Sequence, residues 1–263
     1  MRSFLRALVA LTLLASAPCF AGPSQTLLVA FPARAPVSTP AQIFGTSLHG
    51  WWQTYAANNV TSGGAFTQLT DQSALGVRLN GANSPAVVTL GINGRVSANL
   101  TSATLSFFQS NVSLALSQPM LIGYIFKPAA VAVTGNARVW VAQDGGGAAT
   151  ATYQDDSTPT VNANATGGSS ILASALADGN VMTVVVYFNG ASSYVMINHG
   201  AKVGVGTSIG TAGLGVMNFG LHPGANPDFS ANGLVSEILC VAGSVTDAQA
   251  TSLQNYLNAQ AGI

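Results

Sequence analysis

The sequence predicts an all-β chain, its short strands packed as a sandwich, jelly roll or closed barrel, with one helix closing the C-terminus. Three observations carry that prediction. From Ile43 onward, short apolar runs alternate with Gly, Asn and Ser, the pattern of strands and tight turns. The run Val181–Phe188 is apolar at nearly every position, as a central strand covered on both faces must be. The last thirty-one residues, Gly233–Ile263, read as one apolar strand followed by one amphipathic helix.

Taken in chain order, the first segment lies outside that fold. Arg2 and Arg6 precede an apolar run from Ala7 to Ala17, and Cys19-Phe20-Ala21 offers a small-x-small cleavage site before Gly22. Residues 1–21 therefore read as a secretory signal peptide, and the protein is expected to be exported. The run is too short for a membrane span, which needs about 20 apolar residues, so no span is expected in the mature chain. Pro18 occupies the position where lipidation of Cys19 would require a small residue. Residues 22–42, with prolines at 23, 32, 36 and 40, read as an arm or linker in which Leu27–Phe31 could dock as a strand. The domain proper is expected over 43–263.

Within it, strands are expected at 65–69, 86–90, 96–100, 120–127, 138–143, 149–153, 181–188, 194–198, 213–220 and 234–241. Asn189-Gly190-Ala191-Ser192 tolerates positive φ and joins 181–188 to 194–198 as a hairpin. After Ala242-Gly243, Thr246 and Gln249 have capping-box spacing, and Leu253, Tyr256 and Leu257 form an apolar stripe that ends at Gly262. This is the one helix expected.

Composition narrows the function. Only 6% of residues are charged, against roughly 25% in ordinary domains. After cleavage, six basic residues face eight acidic ones, so no basic stripe remains to meet phosphates, and nucleic acid is not expected as a partner. Solubility then rests on Asn, Ser, Thr, Gln and backbone, which suits an extracellular or virion protein. Cys240 is the single cysteine of the mature chain and sits in an apolar strand, so it reads as a small buried hydrophobe.

Several segments, in order, resemble LamG-like, concanavalin A-like jelly-roll domains. Leu48-His-Gly-Trp-Trp52 precedes Gly63–Leu69 and the loop Asp71-Gln-Ser73, which resembles the family's strand followed by Asp-x-Ser-Gly, with the glycine displaced to Gly76. Gly91-Ile-Asn-Gly94 resembles its Asn-Gly turn, and Gln118–Phe126 the strand opening the concave-sheet half. The hairpin at 187–198 and the closing strand and helix complete a resemblance spanning about 43–263. It implies a two-sheet antiparallel jelly-roll sandwich with one C-terminal helix. Because this fold hosts lectins, adhesins, glycosidases, lyases and virion proteins, function must be read from sites.

Glycosidases of this fold generally use two carboxylates, commonly glutamates on one strand. Here there is a single glutamate, Glu237, expected to face solvent or pair locally on a sheet surface, and no Glu-x-Asp-x-x-Glu spacing. Asp155 and Asp156 are adjacent, so an extended chain points them to opposite faces. Gly206-Thr-Ser208-Ile-Gly210 matches a nucleophile-elbow pattern but lacks the following helix. His49, His199 and His222 lack metal-ligand spacing. No catalytic residue is assigned. A sugar site needs flat rings with a few amides or carboxylates, and Trp51, Trp52, Tyr55, Trp140, Asp144, Tyr153 and Asn162 supply them. Calcium is a candidate cofactor through Asp144, Asp155 and Asp156, with Asp71 and Asp228 as alternative ligands. Sequons stand at Asn59, Asn99, Asn111 and Asn164. The expected protein is an exported, non-enzymatic binding or adhesion module recognising a glycan. The alternatives are a virion or surface-appendage subunit that binds a neighbouring protein and, less favoured, a polysaccharide-cleaving enzyme.

Overall fold

Apolar runs become strands wherever a neighbour exists to take their hydrogen bonds. The computed structural model describes residues 37–129, 137–138, 149–155, 160–165, 168–175, 179–220 and 231–263, with 137–138 and 149–155 described as backbone. In chain order these form α1 (Pro40–Phe44), β1 (Leu48–Gln53), β2 (Val60–Ser62), β3 (Ala65–Leu69), β4 (Leu79–Ala82), β5 (Ala86–Val88), β6 (Ser97–Leu100), β7 (Phe107–Ser110) and β8 (Met120–Pro128). Then follow β9 (Ala137–Arg138), β10 (Ala149–Asp155), β11 (Thr160–Ala165), β12 (Ile171–Ser174), β13 (Met182–Phe188), β14 (Tyr194–Ile197), β15 (Asn218–Phe219), β16 (Gly233–Ala242) and α2 (Asp247–Ala261).

The fold is an all-β sandwich. A long antiparallel sheet runs β14-β13-β8-β16-β6-β5-β3-β4-β7-β15, with β1 also paired to β16 and β2 to β3. A second sheet runs β12-β11-β10-β9. The ladder β13–β8–β16–β1 is the spine, and alternation along it separates two layers. The row Val184–Tyr124–Ile238–Trp52 faces inward and is fully buried. It packs against Phe66, Leu69, Leu79, Phe108 and Phe219 of the folded-over half, and Val161 and Ala163 of the second sheet join the same core. The next row, Val185–Gly123–Leu239–Trp51, faces the other way, toward α2.

Helix α2 forms for the expected reasons. Thr246 Oγ1 accepts from the Gln249 N–H at 3.3 Å while Gln249 Oε1 accepts from the Thr246 N–H at 3.0 Å. Gly262 closes it in the left-handed conformation. Leu253, Tyr256 and Leu257 are buried against Leu121, Ile125, Val185 and Leu239, each such side chain stabilising by about 1.5–3 kcal/mol. Gly123 lets the helix sit close, since a Cβ there would lie 3.3 Å from both Leu239 and Leu257. No helix among the described residues is long and apolar enough to cross a membrane.

Three local expectations need correction. A second helix, α1, exists, with its own capping box from Thr39 and Gln42, so the compact unit starts at Val37 rather than Ile43. Segment 213–220 is not one strand: Leu214 bridges Leu116, and only Asn218–Phe219 pairs with β7. Its glycines break the run, because Gly213 lies where a Cβ would stand 2.1 Å from the Leu116 carbonyl oxygen. The strands β1, β2, β4, β7, β11 and β12 were not among the expected ones. Of the expected strand 138–143, only Arg138 lies among the described residues. The hairpin is as expected, with Tyr187 opposite Tyr194, and Cys240 is fully buried.

Candidate functional site

The predicted sugar-contacting residues separate into three places. Trp140, Asp144 and Asp156 lie outside the described residues. Tyr153 and Asp155 belong to β10, opposite Val161 and Ala137, and Asn162 sits on β11 opposite Thr152, so the fold brings these positions onto one sheet. Burial on β11 alternates strictly: Val161, Ala163 and Ala165 enter the core, while Thr160, Asn162 and Asn164 are only partly buried on the outer face. On β12, Leu172 and Ser174 are exposed on that face, opposite Asn162 and Thr160. That face thus sets polar residues beside an exposed Leu172.

The aromatic cluster near the start of the domain does something else. Trp52 is fully buried, its indole N–H donating to the Val77 carbonyl at 2.7 Å. Gly50 makes room for that ring, since a Cβ there would lie 2.1 Å from it. Trp52 is therefore core and cannot stack on a sugar, which corrects the sequence expectation. His49, on the same strand, leaves Nδ1 buried without a partner among the described residues.

Trp51 and Tyr55 instead surround Glu237. That glutamate is fully buried beneath α2 rather than facing solvent, a second correction. Its position follows from a bulge at Ser236: the register to β8 jumps between Val235 and Glu237, so one extra residue re-aims the chain. Val235 and Ile238 then both face the inner core, and Glu237 shares the helix face with Leu239. The Trp51 indole N–H donates to Glu237 Oε1 at 2.5 Å and the Tyr55 hydroxyl to Oε2 at 2.8 Å. Gln53 and Tyr256 also hold the carboxyl, and Gln53 Nε2 donates to both tyrosine oxygens. Arg95 lies over the Tyr55 ring, 4.8 Å from its centroid, and bonds Gln260. Burial raises the Glu237 pKa above its ordinary 4.5, and hydrogen bonds from Trp51, Tyr55, Tyr256 and Gln53 only partly oppose that. Chemically this carboxyl acts as an acceptor that ties β1 and α2 to β16.

Asp71 is equally committed. Oδ1 accepts from the Trp51 and Ser73 N–H groups at 2.9 and 2.8 Å, and Oδ2 accepts from Ser73 Oγ at 2.6 Å and the Val77 N–H at 3.1 Å. Four donors saturate the carboxylate, so it shapes the 71–77 loop and does not fit the calcium role considered for it. Among the described residues, no three His, Cys, Asp or Glu side chains converge on a point. Asp228 and His222 lie outside them. His199 Nδ1 lies 3.1 Å from Asn258 Nδ2, in a polar seam along α2 where Thr183 Oγ1 also bonds Asn258 Oδ1 at 2.6 Å. Segment 206–210 runs into a bridge position without a helix, as expected of a chance match. Asn59 spends its amide on the Gln53 and Thr54 carbonyls, which makes that sequon structural.

Sequence reasoning missed the Glu237 cluster. The usable signal was a lone acid in a strand apolar on both sides, which predicts burial with partners rather than exposure.

Comparison with known proteins bears on the fold. No protein-family profile and no curated protein matches the chain. Domain 4 of AbnA, a GH43 extracellular arabinanase from Geobacillus stearothermophilus solved in complex with arabinotriose, aligns with a TM-score of 0.56 at 14% identity. The alignment covers 79% of this chain and 98% of that domain. Trypanosoma rangeli sialidase aligns at 0.56 and 13% identity, over 83% of this chain but 35% of the sialidase. The binding domain of botulinum neurotoxin serotype D/C aligns at 0.50 and 13%, over 81% of this chain and 52% of that one. The chain thus spans nearly all of the arabinanase domain and about a third of the sialidase. What it shares with them is a β-sandwich fold that recurs in glycan-processing enzymes and in a toxin's binding domain.

Proposed function

We propose that the protein is an exported, non-enzymatic binding or adhesion module of the LamG-like, concanavalin A-like type, and that it recognises a glycan. The observation that carries this is coverage. The fold matches an arabinanase domain almost end to end, and that domain was solved with arabinotriose bound. Two features of the chain support the reading. Its single glutamate is enclosed under α2 and consumed by neighbouring donors, so a pair of glutamates flanking a glycosidic bond is not on offer. The outer face of β11 and β12 presents Thr160, Asn162, Ser174 and exposed Leu172 as a contact surface. The basic, apolar and small-residue pattern of residues 1–21 supports export.

A glycan array probed with the purified protein, with and without calcium, tests the proposal. Retention on one class of oligosaccharide, with no cleaved product by mass spectrometry, is the expected outcome. Leu172→Ala should weaken that retention while leaving the melting temperature in place. An array without any retained glycan, or release of shortened products, refutes it. Loss of retention on calcium removal would show that calcium is a cofactor, and substitution of Asp144, Asp155 and Asp156 would then test those residues as its ligands.

A further inference from the structure

On the helix-facing side of the spine, past the end of the α2 contact, three residues line up across three strands. Leu234 of β16 pairs with Asn99 of β6 on one side and with Lys127 of β8 on the other. Cross-strand partners share a face, and two strand spacings set Asn99 and Lys127 about 10 Å apart with Leu234 between them. These three residues, with Pro128, Ala129, Gly179 and Gly233, line a cavity of about 360 Å³. That size suits a small ligand.

The walls leave little polar chemistry except at those two side chains. The Ala129 N–H donates to the Asn232 carbonyl and the Gly179 N–H to the Pro128 carbonyl, so both backbone donors are consumed. Gly233 has φ +152, and a Cβ there would stand 2.3 Å from the Lys127 carbonyl oxygen, so the wall beside Lys127 is bare backbone. Among the described side chains, Lys127 also stands apart from the other cations. Lys202 pairs with Asp247 and lies over the Tyr194 ring, Arg95 is engaged by Tyr55 and Gln260, and Arg78 is exposed. The side chains of Lys127 and Asn99 have no hydrogen-bond or ion-pair partner among the described residues. In a chain with so few charges, an unpaired ammonium in an apolar hollow is a specific offer to an anion.

We propose that this cavity binds one negatively charged sugar unit, its C–H face on Leu234, its hydroxyls on the Asn99 amide and its anionic group on the Lys127 ammonium. The proposal rests on the glycan reading above and adds to it a charge preference and a place. Lys supplies a point charge rather than a planar fork, so a carboxylate and a sulfate are equally suited chemically.

Titration calorimetry of the full-length mature protein with methyl β-glucuronide, glucose 6-sulfate and methyl β-glucoside tests it and separates the two anion types. At least one anionic sugar is expected to bind roughly tenfold more tightly than the neutral glucoside, the size of one charge-assisted hydrogen bond. Lys127→Gln should abolish that preference without changing the melting temperature, and Asn99→Ala should weaken all binding several-fold. Equal affinity for charged and neutral sugars, or a preference that survives in Lys127→Gln, overturns the proposal. A protein that retains neutral glycans on the array yet shows no charge preference loses this site and keeps the glycan reading. One that binds nothing in either experiment loses both.

Discussion

Tyr124 and Gly123 are neighbours on β8, yet they look into layers held together by different means. On the Tyr124 side, Trp52, Phe66, Phe108, Phe126, Phe219 and Ile238 meet in a layer so apolar that the Tyr124 hydroxyl has no partner among the described residues. On the Gly123 side, Leu239 and Leu257 pack tightly, but polar groups stitch the rim: Glu237 with Trp51 and Tyr55, and Thr183 with Asn258. Apolar burial is non-directional and supplies most of the stability, whereas buried hydrogen bonds tolerate only one alignment of helix on sheet. The inner layer therefore sets how stable the sandwich is, and the helix layer sets where α2 lies.

The largest effect should come from the inner layer. Trp52→Ala removes a fully buried indole and orphans the Val77 carbonyl it satisfies, and should cost about 3–5 kcal/mol in denaturant unfolding. A smaller cost than that of Glu237→Ala would reverse the proposed division between the layers.

The next test concerns charge and shape at Glu237. Glu237→Ala strands the Trp51 and Tyr55 donors and should cost about 2–3 kcal/mol, whereas Glu237→Gln keeps an acceptor in place and should stay within about 1 kcal/mol near neutral pH. The pH dependence follows from the raised pKa. Above the ordinary carboxylate value of 4.5, the unfolded chain releases the Glu237 proton while the folded chain still holds it. The folded state then binds more protons, so this group's contribution to stability falls as pH rises from about 4.5 to the folded pKa, and levels off beyond it. Unfolding midpoints across that window should decline in the wild type relative to Glu237→Gln. Parallel profiles would mean that the carboxyl is not enclosed as described.

These two layers were not equally legible in the sequence. The hairpin of β13 and β14, the closing strand and the capped helix all announce themselves through local rules: an apolar run, a turn that accepts positive φ, and a Thr–Gln box. β11 is hard to see because its Asn and Ala residues disfavour strands; ladders on both sides, to β10 and β12, hold it extended. Glu237 was misplaced for a different reason. Counting alternation forward from Val235 puts it in the inner core, and counting back from Val241 puts it under the helix. Only the bulge at Ser236, which depends on register against β8, reconciles the two counts. Trp51 and Trp52 likewise look interchangeable as letters, but one residue of strand period separates a core ring from a glutamate partner.

Removing single hydroxyls sharpens the contrast further. Tyr55→Phe deletes a donor to Glu237 Oε2 and an acceptor for Gln53, so it should cost about 1–2 kcal/mol. The same deletion at Tyr124 should have the opposite sign. Burial alone raises the Tyr124 pKa, with no hydrogen bond opposing it, so the hydroxyl lost its water on folding and gained nothing in return. Its ring, edge-on to Phe219 with centroids 5.5 Å apart, keeps that contact in Tyr124→Phe. A gain of about 0.5–1 kcal/mol is expected, read as a higher denaturant midpoint at unchanged slope. Because the change removes one oxygen and no packing, a loss of stability would mean that the Tyr124 hydroxyl has a partner in the inner layer, and the contrast between the two layers would fail at its centre.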